Sequence, residues 1–220
     1  MRMLARSVGF ITINWLSAFV GANAEPCALP VGFVDTPHPA IAETNKLVSH
    51  TEEITVDKPL DQVIRENAKT DLKDAIQKTG PLPGVAGTHQ LGDIPFGTTG
   101  ARRLVCLTDG STLEEQVLGI EQSDKAYRFR YVVWNYTSDK ARPIDYGIGE
   151  FRDSEMADAR THIVWTYSFR LKDGQFPGYL GGFGRYLFRV AFLDREYAAM
   201  MRATIRGNQS PAATTLLNAH

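Results

Sequence analysis

Three groups in this 220-residue chain have the chemistry for proton transfer: Asp194, His162, and the carboxylate–guanidinium pair of Glu115 with Arg102. Asp194 stands out because it interrupts an apolar arc. Phe183, Tyr186, Leu187, Val190, Leu193, Tyr197, Met201 and Ile205 recur at three- and four-residue steps, which predicts an amphipathic helix over about Arg185 to Arg206. A carboxyl among apolar side chains is pushed toward its neutral form and can work as acid or base near neutral pH. The plainer alternative pairs Asp194 with an arginine near the helix end, or leaves it at a wet cavity mouth. For Arg102 and Glu115 the plainer alternative is a structural ion pair, which specifies register more than it stabilises. His162 has the parity opposite to Trp165 and is expected to face outward. The five histidines are scattered without metal-ligand spacing, and no nucleophile elbow, P-loop or dinucleotide fingerprint occurs. The chain is therefore read as using no metal and no cofactor.

Those groups need elements to hold them. In the stretch ARTHIVWTYSFRLK, Ile163, Trp165, Tyr167, Phe169 and Leu171 share one parity. Alternate side chains of a strand line one face, so this face is a wall of rings, either a tight core or the lining of a hydrophobic cavity. A strand over Tyr127 to Tyr136 puts Tyr127, Phe129, Tyr131 and Val133 on one face, with Arg128 and Arg130 opposite. Asp109-Gly110 between two strand-like runs predicts a two-residue type I′ hairpin, with Cys106 opposite Leu113 and Leu104 opposite Glu115. Arg102 and Glu115 then lie diagonally on one face, within reach of each other. Around these come a strand over His50 to Val56, a helix begun by Pro59, a short helix over Asp71 to Gln77, and a strand over Val85 to Leu91. A Gly-rich loop runs from Gly92 to Gly100, and a further strand begins at Ile144, Tyr146 and Ile148. The order argues for an α+β fold: an antiparallel sheet whose concave face buries the apolar arc of one long helix. A small-molecule site on that face would have Phe129, Tyr131, Trp165, Tyr167, Val190 and Tyr197 as walls. Asp194, Arg102 and Glu115 would be its polar groups.

The ends of the chain read differently. Arg2 and Arg6, the mostly apolar Ser7 to Val20 and Ala22-Asn23-Ala24 have the form of an export signal over residues 1–24, an uncleaved anchor being the alternative. Residues 25–48, with Pro26, Pro30, Pro37 and Pro39, form an extended arm, and residues 208–220 read as a disordered tail. Cys27 and Cys106 could pair in an oxidising compartment, or Cys106 could be a buried small hydrophobe. A net charge of −1 with mixed signs leaves no nucleic-acid footprint. Gly178, Gly181, Gly182 and Gly184 read as a hinge or lid rather than a phosphate loop. Arg185, Arg189, Arg195, Arg202 and Arg206 with Phe188 and Phe192 form a basic helix face. It could touch an anionic membrane, or stay solvated with its rings covered by the arm.

From about His50 to Arg206 the chain resembles the SRPBCC superfamily, the START-like helix-grip fold, and within it the polyketide cyclase/dehydrase-like branch. The resemblance rests on the element order and on Gly100 followed by Arg102-Arg103. It also rests on Asp109-Gly110 followed by Glu115 and Val117, then Tyr131, Thr161, Trp165 and Phe169. A tryptophan common before the second strand is missing, and Gly80 to Thr88 is Pro/Gly-rich instead. The resemblance implies seven strands gripping the C-terminal helix over residues 49–207, with a hydrophobic cavity between. The expectation is an exported protein that holds a small hydrophobic molecule or lipid. Its rivals are a cyclase, dehydratase or hydrolase acting in the same cavity, and a membrane-peripheral scaffold.

Overall fold

The computed structural model describes residues 27–207. The expected export signal over residues 1–24 and the expected disordered tail over 208–220 lie outside the described residues. Seven strands follow in chain order: β1 Val48–Val56, β2 Val85–Leu91, β3 Arg102–Leu107, β4 Thr112–Gln122, β5 Ala126–Trp134, β6 Ile144–Glu155 and β7 Thr161–Leu171. Helices α1 (Leu60–Asn67) and α2 (Leu72–Ala75) come between β1 and β2. After β7 the chain closes with α3 (Gly181–Phe188), a π-helical segment (Arg189–Tyr197) and α4 (Ala198–Gly207). The strands form one antiparallel sheet in the order β1-β7-β6-β5-β4-β3-β2. Bulges between Val85 and Gly87, Val117 and Gly119, and Ile144 and Tyr146 help it to curve around the last helix.

β7 behaves as its pattern predicts. Its burial alternates without a fault from Thr161 to Leu171, and Ile163, Trp165, Tyr167 and Phe169 all point into the grip. Its neighbours continue the same face, because directly opposed residues share a side. Register places Tyr131 opposite Gly149, Gly149 opposite Tyr167, and Tyr167 opposite His50. Leu193, Met200, Met201 and Ile205 of the helix pack onto this face.

The first hairpin corrects the expected register. Its loop has three residues, Thr108 to Gly110, and among them only Gly110 takes a left-handed conformation, at φ 83°. A type I′ turn needs positive φ at both central residues, so this is the three-residue loop with a bulged glycine. One extra loop residue slides the pairing: Leu104 faces Glu114, Val105 faces Leu113 and Cys106 faces Thr112. A slip of one residue moves partners to the opposite side. Arg102 consequently pairs with Glu114, at 2.5 Å on the convex face, and Arg103 with Glu115, at 2.6 Å on the concave face. The expected Arg102–Glu115 pair does not form.

The convex face is covered by the N-terminal arm. Cys27 is disulfide-bonded to Cys106, with the two Cα atoms 5.5 Å apart. Arg102 donates to the Thr36 carbonyl at 2.9 Å and forms an ion pair with Asp35. The Ala42 amide donates to the Tyr146 hydroxyl at 2.6 Å. Beneath the arm, Val132, Trp134, Tyr146 and Ile148 form a second apolar cluster, packed against Ile41, Ala42 and Leu47. Glu114, with 0% of its surface exposed, accepts from Arg102 and from the Asn135 amide at 2.7 Å. A buried carboxylate is tolerable only with such partners.

The disulfide closes a loop of 79 residues, for which chain entropy alone gives a stabilisation of about 4 kcal/mol. Urea unfolding with and without reductant should show a loss of roughly 2 to 4 kcal/mol on reduction. A loss under ~0.5 kcal/mol would show that the arm is held by its other contacts.

Candidate functional site

The concave face is the only place where many sequence-predicted site residues meet. Phe129 and Tyr131 of β5, Trp165 and Tyr167 of β7, and Tyr197 at the end of the π segment converge there. Tyr167 is central: its ring centroid lies 4.9 Å from those of Phe169 and Tyr197, 6.1 Å from Tyr131 and 6.3 Å from Trp165. Glu115 reaches the same face with Arg103, whose guanidinium carbon lies 3.5 Å from the centroid of the Phe96 ring. The rings fill the interior between sheet and helix. Two surface hollows lie elsewhere, a broad one lined by residues such as Lys140, Arg142 and Phe176, and a small one beside Arg128 and Arg130.

Val190 is placed differently from expectation, for a reason that lies in the helix. In a π segment the turns are wider than 3.6 residues, because the hydrogen bonds run i→i+5. From Leu193 through Tyr197, Met201 and Ile205 the inward positions match the predicted arc. Across the wide turns the phase slips by about one residue. On the N-terminal side Gly184, Phe188 and Phe192 therefore turn inward, whereas Phe183, Tyr186 and Val190 turn out. Val190 is 39% exposed and lies outside the buried core cluster. Phe188 and Phe192, expected on the basic outer face, pack against Phe169 instead.

Asp194 sits at the rim, not in an apolar pocket. Its carboxylate meets His50 Nδ1 at 2.7 Å and Arg189 Nε at 3.1 Å. His50 Nε2 in turn lies 2.7 Å from Glu52, which also accepts from Arg202 at 2.5 Å. Partial burial raises the Asp194 pKa, but the His50 hydrogen bond and the Arg189 charge outweigh it and hold the carboxyl below its ordinary range. Asp194 is thus an ionised tie between β1 and the last helix, the plainer of its two readings. His162 faces outward toward Glu53, at 3.3 Å.

The polar groups inside the wall come from elsewhere. β6 carries glycine at 147 and 149, leaving shallow places over which tyrosine rings lie. A Cβ on Gly147 would stand 2.9 Å from both the Tyr136 and the Tyr167 hydroxyl oxygens, so these two hydroxyls converge there. Burial drives the hydroxyl pKa values of Tyr131, Tyr136, Tyr167 and Tyr197 well up, and the Glu115 charge adds to this at Tyr131, Tyr136 and Tyr197. These phenols stay protonated and act as donors. Tyr136 Oη and Trp165 Nε1 stand beside the Tyr167 and Tyr131 hydroxyls. Among the described residues both are buried without a well-aligned hydrogen-bond partner, as are Arg102 Nε, Arg128 Nε and Trp134 Nε1 on the other face. Buried donors of this kind normally find one. Two unspent donors in an apolar enclosure can hold an acceptor oxygen.

A second polar group on this face is Asp153, whose position the alternation of β6 already assigns to the side of Phe151. It lies opposite Tyr127 and Ile163, one step along the strand from the stacked Phe151 and Trp165 rings. Asp153 is 3% exposed, its Oδ1 has no partner, and burial raises its pKa to about 7. Its environment, an apolar one without a cation, is the alternative that the sequence left open for Asp194. Among the described residues no cluster of three or more His, Cys, Asp or Glu side chains could hold a metal ion.

No family model matches this sequence, and no curated protein matches it. Solved structures do match in fold. The di-domain ARO/CYC protein StfQ of the steffimycin biosynthetic pathway superposes with a TM-score of 0.51 at 12% identity, over 75% of this chain and 50% of that one. Ara h 8.0201 gives 0.48 at 15% identity, over 75% and 99%. A hypothetical protein of Helicobacter pylori gives 0.47 at 17%, over 80% and 98%. The chain has the helix-grip fold. The seven-stranded curved sheet closed on a C-terminal helix is therefore shared, while identities this low carry no residue roles across.

Asp153 makes stability depend on pH with a defined sign. Its pKa is raised from 3.8 to about 7, so between these values the folded chain holds a proton that the unfolded chain has lost, and stability falls as pH rises. The loss from pH 4 to pH 7 is roughly 3 to 4 kcal/mol from this group if it stays as buried when ionised. Asp153→Asn should remove that slope and unfold at higher urea than the parent at pH 8. An unchanged slope in the variant would mean that Asp153 ionises freely.

Proposed function

We propose that this protein binds a small, largely apolar molecule bearing a hydrogen-bond acceptor, within the grip of the sheet on its last helix. The observation that carries this is the wall of rings on the concave face, which encloses the Tyr136 hydroxyl and the Trp165 indole N–H without a well-aligned acceptor. Apolar walls with a few placed polar groups are what a small-molecule site needs. The ligand must displace rings now packed on each other. Tyr197 and Phe192, on the wide-turned π segment, are the natural ones to move, since π turns are local departures often found at functional sites. The Cys27–Cys106 disulfide supports export to an oxidising compartment, together with the signal-like residues 1–24. The resemblance to the polyketide cyclase-like branch supports the same ligand class, and the last helix would be the part that meets a membrane.

The rival reading, a cyclase, dehydratase or hydrolase of a bulky hydrophobic substrate, is favoured by Asp153 alone. A carboxyl with a pKa of about 7 on the ring face could pass a proton to or from a bound molecule. Asp194 and Glu115 are held in ion pairs and would orient rather than react.

Native mass spectrometry of the protein taken from its own host should show a bound small molecule lost on denaturation. Tyr136→Phe and Trp165→Phe should each weaken its retention by about three- to tenfold, the worth of one hydrogen bond. Protein that is empty, and equal affinity of parent and variants for acceptor-bearing hydrophobic probes, would sink the binding reading. If Asp153→Asn leaves the mass of a bound substrate unconverted where the parent converts it, the enzyme reading takes its place.

A further inference from the structure

The phase slip in the last helix has an outward result. Of the large apolar side chains that stay exposed, six fall within fifteen residues: Phe176, Tyr179, Leu180, Phe183, Tyr186 and Val190. Phe183, Tyr186 and Val190 line one helix face at three- and four-residue steps. Phe176 and Tyr179 precede them with ring centroids 6.0 Å apart. Phe183 is 62% exposed. The backbone beneath is anchored. A Cβ on Gly178 would stand 2.1 Å from the Lys172 carbonyl oxygen, and one on Gly184 would stand 1.8 Å from the Pro177 carbonyl oxygen. Two of the glycines expected to form a hinge or lid thus let this segment pack tightly on itself and on the residue that follows β7, and its rings are held outward on a fixed base.

We infer that this ridge is a docking surface for an anionic lipid membrane, and that it is the part of the last helix through which the membrane contact proposed above is made. Charge supports the lipid over an apolar protein partner. Residues 174–193 contain Arg185 and Arg189 and no acidic residue. Arg185 and Lys172 form no ion pair among the described residues. The carboxylates at the margin have ion-pair partners, Asp173 in Arg170 and Asp194 in Arg189, which leaves Arg185 and Lys172 as the cations beside the ridge. Tyr179 and Tyr186 have an apolar body and a polar tip, which suits the headgroup boundary. Apolar rings flanked by cations bind such a surface by burying area and by attraction to anionic headgroups. The surface stands on exposure and charge and does not require that the interior hold a ligand.

The test uses the whole protein with vesicles of phosphatidylcholine, with and without phosphatidylglycerol, in a sedimentation assay. Binding is expected to the anionic vesicles and to fall with salt. Phe183→Ser combined with Tyr186→Ser, and separately Arg185→Glu, should each reduce it by about tenfold. All three positions are on the surface, so thermal unfolding should be unchanged. A Tyr186→Trp variant should shift its emission to the blue on binding, which reports burial of that residue. The inference is overturned by three results: no vesicle binding, binding indifferent to these substitutions, or a dimer that the same substitutions dissolve while vesicles go unbound. Since ligand retention is read separately by mass spectrometry, a protein that keeps its ligand but ignores vesicles loses only this surface.

Discussion

The wide turns of the π segment between Arg189 and Tyr197 settle which side chains close the concave face, and much else depends on them. Below them the helix follows the arc through Leu193, Tyr197, Met201 and Ile205. Above them an extra residue per turn brings Phe188 and Phe192 onto Phe169 and turns Phe183, Tyr186 and Val190 to solvent. Packing selects this arrangement. An unbroken α-helix in phase with Leu193 would turn Phe188 away from Phe169, and the approach of Gly184 to the Pro177 carbonyl leaves no space even for a methyl group. The same slip supplies a closed interior and an open apolar ridge.

The sheet has two working faces held by different means. On the concave side rings meet rings, and the polar groups among them are incompletely paired: Tyr136, Trp165 and Asp153 each have a buried atom with no partner. On the convex side Glu114 is paired with Arg102 and Asn135, and the arm that covers it is joined covalently through Cys27. Buried atoms without a partner occur there too, at Arg102 Nε, Arg128 Nε and Trp134 Nε1. The two faces therefore differ in the wall of rings on one and the covalently held arm on the other, not in how fully their polar groups are paired.

Acid–base chemistry followed environment rather than residue type. Asp194 interrupts an apolar pattern in sequence, but at the helix rim it meets His50 and Arg189 and stays ionised. Asp153 lies in a strand otherwise rich in charge, yet it is the carboxyl that ends up buried without a cation, with its pKa near neutrality. The difference is whether a positive partner stands beside the carboxylate, as Arg189 does for Asp194.

What could be read from the sequence by itself was whatever repeats with a local period. The alternation of β7 assigned Trp165, Tyr167 and Phe169 to one face because the strand period is two and tolerates no drift. The same rule placed Phe129 and Tyr131, and would have placed Asp153. The element order, the antiparallel sheet and the single long helix followed from such patterns. Tertiary structure decided what depends on counting residues across a break in the period. One extra residue in the Thr108–Gly110 loop moved Arg102 from Glu115 to Glu114. Extra residues in the π turns moved Val190 from the wall to the surface. The His50 partner of Asp194 and the Cys106 partner of Cys27 lie 144 and 79 residues away in the chain. No local period reaches that far, because only the closing of the sheet on its helix and its arm brings such groups together.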